Sequence, residues 1–270
     1  MKRAYTDIPE GQLHYRFEGE GEPLLLLHCA VRSSAEYNRV IPLLSKQYRA
    51  IAMDFLGHGE SDQAPYQYQI LDHAKTVIRF MDSLGIKRTT IVGHHLGSVV
   101  AIEIQIKWPS RVDKLILSGL GIPPGPGEAK RSKEIEDFEK TFTAAVQIKK
   151  DGSHLMEWWR RADLWGDPPE LMEERFLEYV KAGPRGEEAH WTTTKTDWNP
   201  EVRLPLVTCP TLILTGTQDE HLKPEAVKAN AAKMAKLLPK GEYAVIENGP
   251  MHVDVRMPKE FASAILNFLR

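Results

Sequence analysis

The chain has 270 residues, of which 42% are hydrophobic and 27% are charged, a composition typical of globular proteins. Its 35 Lys and Arg and 37 Asp and Glu residues give a formal net charge of −2, so the basic surface that nucleic-acid binding usually needs is not predicted. The two cysteines are too few for a disulfide framework and favour a reducing, cytoplasmic environment. No apolar run approaches the roughly 18 residues of a membrane span, and the first residues lack the apolar core of a signal peptide.

The first 120 residues alternate short apolar runs with longer amphipathic ones. The apolar runs predict an edge strand at 13–17 and further strands at 24–27, 48–53, 89–92 and 112–117. The spacing of apolar residues predicts helices at 35–46, 69–84 and 96–107. Continuous apolar strands separated by helices are typical of an α/β fold, a mostly parallel sheet covered by helices on both faces.

This alternation stops at residues 121–127, a run of glycines and prolines that cannot lie inside a helix or strand. The segment that follows is charged and helical. The α/β pattern resumes with strands at 211–214 and 243–246 and helices at 224–238 and 259–269. We therefore predict an α/β core at 1–120 and 204–270, interrupted by a helical cap at 121–203.

Five of the six tryptophans fall in this insertion, at positions 158, 159, 165, 191 and 198. Some of them must fill the small core that the inserted helices need. Others can roof a pocket between the cap and the core, where ligand sites usually form. Trp158 and Trp159 are therefore candidate contacts for an apolar or aromatic small-molecule substrate.

A tight strand-turn-helix lies at Gly93-His94-His95-Leu96-Gly97. The two glycines relieve backbone clashes in such a turn, which projects its central side chain, His95, at the carboxyl edge of the sheet. The backbone N–H of Leu96 lies at the helix N-terminus and faces the same space. This is the pattern of a nucleophile elbow.

With this elbow and four further motifs, the sequence resembles the α/β-hydrolase superfamily over both core segments. The motifs are the strand and loop Leu25-Leu26-Leu27-His28-Cys29, the turn Asp54-Phe55-Leu56-Gly57-His58-Gly59-Glu60-Ser61, the segment Gly216-Thr217-Gln218-Asp219, and the segment Gly249-Pro250-Met251-His252. The resemblance implies that Asp219 is the acid and His252 the histidine of a catalytic triad, in the chain order that this fold requires. It also implies an oxyanion hole formed by the N–H groups of Leu96 and Ala30.

Two residues depart from the superfamily pattern. His95 stands where members have Ser, Cys or Asp, and Cys29 stands where they usually have Gly. A neutral imidazole carries its own lone pair, so His95 can attack an acyl carbon without a base to activate it. We therefore predict a cofactor-free hydrolase of an ester, lactone or C–C bond with a His95–His252–Asp219 triad, acting as a monomer or homodimer.

Three alternatives remain open from the sequence. His252 and Asp219 can activate water or move a substrate proton without a covalent step, as in a lyase or isomerase. The fold can also be an inert ligand-binding scaffold. A histidine would stand at this position, too, if a serine had been deliberately replaced.

The remaining residues near the elbow receive supporting roles. His28, Cys29 and His94 are expected beside the substrate, with His28 and His94 bracing their loops and Cys29 acting as a small buried residue. A metal is not predicted, because the acid of such a triad lies behind the histidine and cannot share an ion with both imidazoles.

Overall fold

The computed structural model describes residues 1–120, 147–163, 167–183, 198–218, 224–250 and 252–270. Its sheet has eight strands in the order β1-β2-β4-β3-β5-β6-β7-β8. The strands are β1 (Lys2–Ile8), β2 (Gly11–Glu18), β3 (Pro23–Leu27), β4 (Arg49–Met53), β5 (Thr89–His94), β6 (Val112–Ser118), β7 (Thr211–Gln218) and β8 (Gly241–Pro250). The pairs β1–β2 and β2–β4 are antiparallel, and every other neighbouring pair is parallel.

The central strand β3 shows why the sheet must be covered on both faces. All four of its leucines, at 24–27, are fully buried. Because successive side chains of a strand point to opposite faces, Leu25 and Leu27 join one apolar cluster while Leu24 and Leu26 join another. This confirms the predicted α/β class with a mostly parallel sheet and helices on both sides.

The helices follow the predicted order, with bounds that differ by a few residues. They are α1 (Ile41–Leu44), α2 (Ile70–Ser83), α3 (Leu96–Lys107), α4 (Ser153–Asp163), α5 (Pro169–Ala182), α6 (Pro200–Arg203), α7 (Pro224–Leu237), α8 (Val253–Arg256) and α9 (Pro258–Leu269). No helix in these described ranges combines the length and the apolar character that crossing a bilayer requires.

Two local predictions were wrong. The run at 13–17 is not an edge strand, because β1 pairs with β2 and forms the edge itself. The single helix predicted at 35–46 is divided into a 3₁₀ turn (Ser34–Tyr37) and the short α1, which has Pro42 in its first turn. Pro42 lacks the N–H that a continuous helix would use there. The 3₁₀ turn directs Glu36 into the protein, where it is 1% exposed.

The helices α4 and α5 lie between β6 and β7 in the chain and contact each other. Polar side chains connect α5 to the core. The carboxylate of Glu178 accepts hydrogen bonds from the backbone N–H and the hydroxyl of Ser33, at 3.0 and 2.8 Å. Glu174 pairs with Arg39 near the surface, at 2.7 and 2.9 Å. These contacts hold the inserted helix over the carboxyl edge of the sheet.

Candidate active site

His95 occupies the turn between β5 and α3 with φ of 45° and ψ of −106°. Residues other than glycine rarely adopt this backbone conformation. Its N–H is hydrogen bonded to the carbonyl of Ser118 at 2.9 Å. A Cβ on Gly93 would overlap the backbone of Gly97, and one on Gly97 would overlap Leu27. The two glycines are therefore required by close packing, which fixes the position of His95.

The ring of His95 lies against Gly119, the residue that follows β6 with φ of +63°. A Cβ on Gly119 would stand 2.8 Å from Nε2 of His95 and 2.9 Å from the ring of His94. Only glycine at this position leaves room for both imidazoles. No sequence motif pointed to this role.

The backbone around His95 provides N–H groups suited to a negative oxygen. The helical hydrogen bonds of α3 begin with the N–H groups of Ser98 and Val99, which bond to the carbonyl of His95 at 3.0 and 3.1 Å. The N–H of Leu96, the first residue of α3, is thus one of those that a helix leaves unused at its N-terminus. Ala30 lies in the loop after β3, next to β5 in the sheet. Both predicted oxyanion residues are at the carboxyl edge of these neighbouring strands.

The loop after β3 is held by hydrogen bonds of buried side chains. Nδ1 of His28 donates to the carbonyl of Cys29 at 2.7 Å, and Nε2 accepts from the N–H of Phe55 at 3.0 Å. Burial lowers the pKa of His28, so the ring is neutral, as this pattern requires. The N–H of Cys29 donates to Glu36 at 2.9 Å. These bonds fix the loop that carries Ala30.

Cys29 is not poised as a nucleophile. Burial raises the pKa of its thiol well above the ordinary value, and the neighbouring charge of Glu36 raises it further. The thiol donates to the carbonyl of Ala30 at 3.3 Å. Since the thiolate is the reactive form, the side chain acts here as a small packing group.

His252 follows β8 and is 4% exposed. Its ring centroid lies 6.0 Å from that of His95 and 5.2 Å from that of His94. Burial lowers the pKa of His252 well below its ordinary value, and the charge of Arg175 lowers it further. The imidazole is therefore neutral near pH 7 and retains a lone pair.

His94 forms a buried cluster with two carboxylates behind the elbow. Its Nδ1 donates to Glu36 at 2.9 Å and lies 3.6 Å from Asp254. Burial lowers the pKa of His94, but Asp254 and Glu36 outweigh burial and the net pKa is raised. Burial raises the pKa of Asp254 to about 7. Although burial opposes ionisation of Glu36, the charge of His94 and its hydrogen bond lower the pKa of this carboxyl to about 2.

A group of four donors here could in principle bind a metal. Single ligand atoms of Glu36, His94, His252 and Asp254 all lie within 4.8 Å of one another, and imidazole with carboxylate suits divalent transition metals. However, both oxygens of Glu36 already accept hydrogen bonds. The guanidinium of Arg32 faces the same cluster, with its Nε 4.0 Å from Glu36. We interpret the cluster as a hydrogen-bond network, and the absence of a metal stays a prediction.

The other predicted residues are placed as follows. Asp219 lies outside the described residues, as do Trp165 and Trp191. Trp158 on α4 is 4% exposed and packs in the main apolar cluster, whereas Trp159 is 38% exposed and packs against Phe176 of α5.

Three functional candidates were missed at the sequence level, namely Glu36, Asp254 and Arg175. Glu36 lies in a stretch that was predicted as an ordinary helix, and Arg175 lies on an inserted helix rich in charge. Only Asp254, two residues after His252, stands close to a recognised motif. Their roles depend on contacts between segments far apart in the chain.

Comparison with known proteins agrees with this arrangement. A family model described as alpha/beta hydrolase fold matches residues 22–251. The chain therefore belongs to the alpha/beta hydrolase fold family.

Individual relatives match to different extents. An uncharacterised protein of Mycobacterium tuberculosis is 37% identical over 107 residues, which are 40% of this chain and 31% of that protein. The (E)-2-((N-methylformamido)methylene)succinate hydrolase of Acinetobacter baylyi is 24% identical over 95% of this chain and 93% of its own. The 2-hydroxy-6-oxo-6-phenylhexa-2,4-dienoate hydrolase of Comamonas testosteroni is 35% identical over 44% of each chain.

Among solved structures, a thermophilic esterase from Thermogutta terrifontis superposes with a TM-score of 0.78 at 24% identity, covering 100% of this chain and 98% of its own. This likeness supports the fold. The chain spans about a third of the length of the mycobacterial relative that it matches.

Proposed function

We propose that this chain is a hydrolase of small molecules that cleaves an ester, lactone or C–C bond without a cofactor. The observation that carries the proposal is the position of His95. It holds the elbow conformation with φ of 45°, immediately before the N–H of Leu96 and with its ring centroid 6.0 Å from that of His252. The named relatives from Acinetobacter and Comamonas are hydrolases, which supports this class of activity.

In the proposed reaction, neutral His95 attacks the acyl carbon through a ring lone pair. The carbonyl electrons move to oxygen, where the N–H groups of Leu96 and Ala30 stabilise the negative charge. When the oxyanion collapses, the bond to the leaving group breaks. The second nitrogen of His95 gives up its proton to His252, and His252 passes a proton to the leaving group. An acyl-imidazole on His95 remains.

Water then cleaves this intermediate. His252 accepts a proton from the water as it attacks the acyl carbon, the bond to His95 breaks, and the proton returns to His95. This step requires a neutral His252, which the lowered pKa of that residue supports. We propose that Asp219 orients His252 through its other ring nitrogen, as in related triads. If no covalent step occurs, His252 accepts a proton from a water molecule that attacks the substrate directly.

The cap at 121–203 is proposed to close the site over an apolar or aromatic substrate. The partial exposure of Trp159, together with its packing against Phe176 of α5, supports a role for this side chain at the pocket surface. His28, His94 and Cys29 are buried or nearly so and hydrogen bonded. In this proposal they support the loops.

The test is a set of three variants, His95→Ala, His95→Ser and His252→Ala, assayed on activated esters, lactones and β-diketones. We expect His95→Ala and His252→Ala each to lower kcat by at least about a thousandfold, as loss of a triad member does elsewhere. His95→Ser should retain part of the esterase activity, because His252 can activate a hydroxyl. The melting temperature of each variant checks that the fold is intact.

The possible outcomes separate the mechanisms. Full activity in His95→Ala would remove the nucleophile role, and full activity in both alanine variants would remove the triad. An acylated peptide that contains His95, trapped by acid quench and found by intact-mass and peptide analysis, would establish the covalent step. Tight ligand binding with no turnover in the native chain would instead identify a binding protein.

A further inference from the structure

A polar cavity lies between the cap helix α5 and the core. Its volume is about 180 Å³, well above the roughly 10–15 Å³ that one water molecule needs. Residues 174, 177, 178 and 181 form its wall on the α5 side, and their spacing places them on one face of that helix. Neither His95 nor His252 is among the described residues that line it. The wall on the core side consists of Arg16, Arg32, Ser33, Ala35, Asn38, Asp54, Gly59 and Glu60.

Most charged side chains of this cavity have a partner within the protein. The carboxylate of Asp54 lies 2.8 Å from Nδ1 of His14 and accepts hydrogen bonds from two backbone N–H groups. Three further pairs neutralise charges in or beside the walls. They are Arg32 with Glu178, Lys181 with Glu60, and Glu174 with Arg39.

Arg16 on β2 differs from these residues. It is 6% exposed, and its Nε donates to the hydroxyl of Ser34 at 3.1 Å. Within the described ranges, no carboxylate lies within 4.0 Å of its guanidinium. Its two Nη groups are not sealed from solvent, so their N–H donors face the cavity. A buried guanidinium without a charged partner is costly, and this indicates a bound anion.

The neighbour of Arg16 across the strand pair adds to this cost. Arg3 of β1 stands directly opposite Arg16 in the antiparallel register, and like charges at such positions repel each other. Burial lowers the pKa of Arg16 and the charge of Arg3 lowers it further, whereas nearby carboxylates raise it. Because an arginine stays protonated in proteins, the cavity wall carries a fixed positive charge.

We propose that this cavity binds a small monoanionic carboxylate through the guanidinium fork of Arg16, between α5 and the core. The planar fork of an arginine matches a carboxylate with two parallel hydrogen bonds. A single negative charge is favoured, because four carboxylates, at positions 54, 60, 174 and 178, also line the cavity and repel a second charge. The volume suits an acid of a few heavy atoms, such as acetate. This inference does not rest on the proposed hydrolase activity.

The test compares acetate with acetamide, a neutral molecule of nearly the same shape, at equal ionic strength. Calorimetry should detect acetate binding to the native chain, and near saturation the melting temperature should rise by at least about 2 °C. Acetamide should have neither effect. Arg16→Gln should weaken acetate binding by about 10- to 100-fold, the range for a hydrogen bond to a charged group. Arg16→Lys, which keeps the charge but loses the fork, should fall in between.

Two control variants locate the binding site. Arg3→Gln removes the exposed arginine beside Arg16 and leaves the fork in place, so acetate affinity should change by less than about threefold. His95→Ala should bind acetate as the native chain does, which separates this cavity from the proposed catalytic site. Melts without acetate check that each variant is folded, and if Arg16→Gln is not, Arg16→Lys provides the comparison.

The position of the cavity adds a local measurement. Because α5 forms one wall, acetate should slow amide hydrogen exchange in residues 169–182 of the native chain but not of Arg16→Gln. Acetate binding that is unchanged in Arg16→Gln, or equal effects of acetate and acetamide, would show that only water occupies the cavity and would overturn the inference. Phosphate or chloride that binds through Arg16 as tightly as acetate would overturn the choice of a carboxylate.

The outcomes for this cavity and for the proposed function are independent. If no ester is hydrolysed but acetate binds in an Arg16-dependent manner, the hydrolase proposal fails and the anion site stands. If esters are hydrolysed and the native chain binds no acetate, the anion site is refuted and the hydrolase proposal is unaffected.

Discussion

The carboxylate of Glu36 connects His94 to the loop after β3. Oε1 accepts a hydrogen bond from Nδ1 of His94 at 2.9 Å, and Oε2 accepts one from the N–H of Cys29 at 2.9 Å. His94 precedes the elbow residue, and Cys29 precedes Ala30 of the proposed oxyanion hole. One buried side chain thus fixes the spacing of two loops that the proposed mechanism uses together.

The first prediction concerns the pH dependence of stability at this cluster. The folded-state pKa values of Asp254, at about 7, and of His94 are raised. Each group therefore contributes stability that is complete at low pH and lost as the pH rises through its folded pKa. The pKa of Glu36 is lowered from 4.5 to about 2, so this carboxyl contributes stability that is lost only as the pH falls below about 5. The free energy of unfolding of Asp254→Asn minus that of the native chain should therefore be lower at pH 5 than at pH 8.

This difference is measured by urea unfolding at pH 5, 6, 7 and 8. Asp113→Asn removes an exposed carboxylate that pairs with Arg88 at 2.7 Å, and its effect on stability should vary little over the same range. A gap between the native chain and Asp254→Asn that stays constant with pH would contradict the prediction.

The second prediction concerns the acid limb of the pH–rate profile. Burial and Arg175 lower the pKa of His252, the proposed base, well below 6.5. The imidazole therefore stays neutral in weak acid, and kcat/KM for a neutral ester should begin to fall only below pH 6.5. Arg175→Gln removes one of the causes, so the acid limb should move to higher pH. A profile measured from pH 4 to 9 checks both statements, and a limb that moves to lower pH in the variant would refute the second.

The third prediction concerns Gly119, which makes room for His95. Gly119→Ala should lower activity by at least about tenfold, because the new Cβ would stand 2.8 Å from Nε2 of His95 and displace the ring. The control is Gly85→Ala. Gly85 has a similar φ of +68°, and a Cβ added there would meet no described atom within 4 Å, so both variants carry a backbone cost of about 1–2 kcal/mol.

Activity per folded molecule distinguishes these two variants. Circular dichroism melts give the shared loss of stability, and kcat at a temperature well below both melting points gives the effect on the site. Equal kcat values in Gly119→Ala and Gly85→Ala would show that the packing of His95 on Gly119 is unimportant.

The fourth prediction compares two glutamates of α5 that each pair with a core arginine. Glu178 is 2.7 Å from Arg32, with side chains only 8% and 4% exposed, whereas Glu174 and Arg39 are 43% and 37% exposed. Glu178→Ala should lower the free energy of unfolding by about 3–5 kcal/mol because it leaves a buried charge without its closest partner. Glu174→Ala should cost less than about 1 kcal/mol. Chemical denaturation of both variants is the measurement, and similar losses would contradict the argument.

Much of the core fold follows from local sequence pattern. The leucine run at 24–27 predicted a buried strand, which the structure contains as β3, and the spacing at 96–107 predicted α3 with the bounds that the structure shows. The elbow was predictable because Gly93 and Gly97 bracket a residue between a strand and a helix. Strand β1 was missed because its residues alternate between exposed and half-buried positions and contain no apolar run.

The α/β architecture and the elbow at His95 could be predicted from the chain, since both depend on residues adjacent in sequence, whereas the role of His252 was predicted only from the family resemblance. The surroundings of these residues became known only from the packed structure. The contacts of Glu36 with His94, of Gly119 with His95 and of Arg175 with His252 join segments that are between 24 and 77 positions apart. The spacing of apolar residues in the sequence predicts which face of one helix or strand is buried, whereas these contacts depend on how the elements pack together. The same packing sets the pKa values that govern the proposed chemistry.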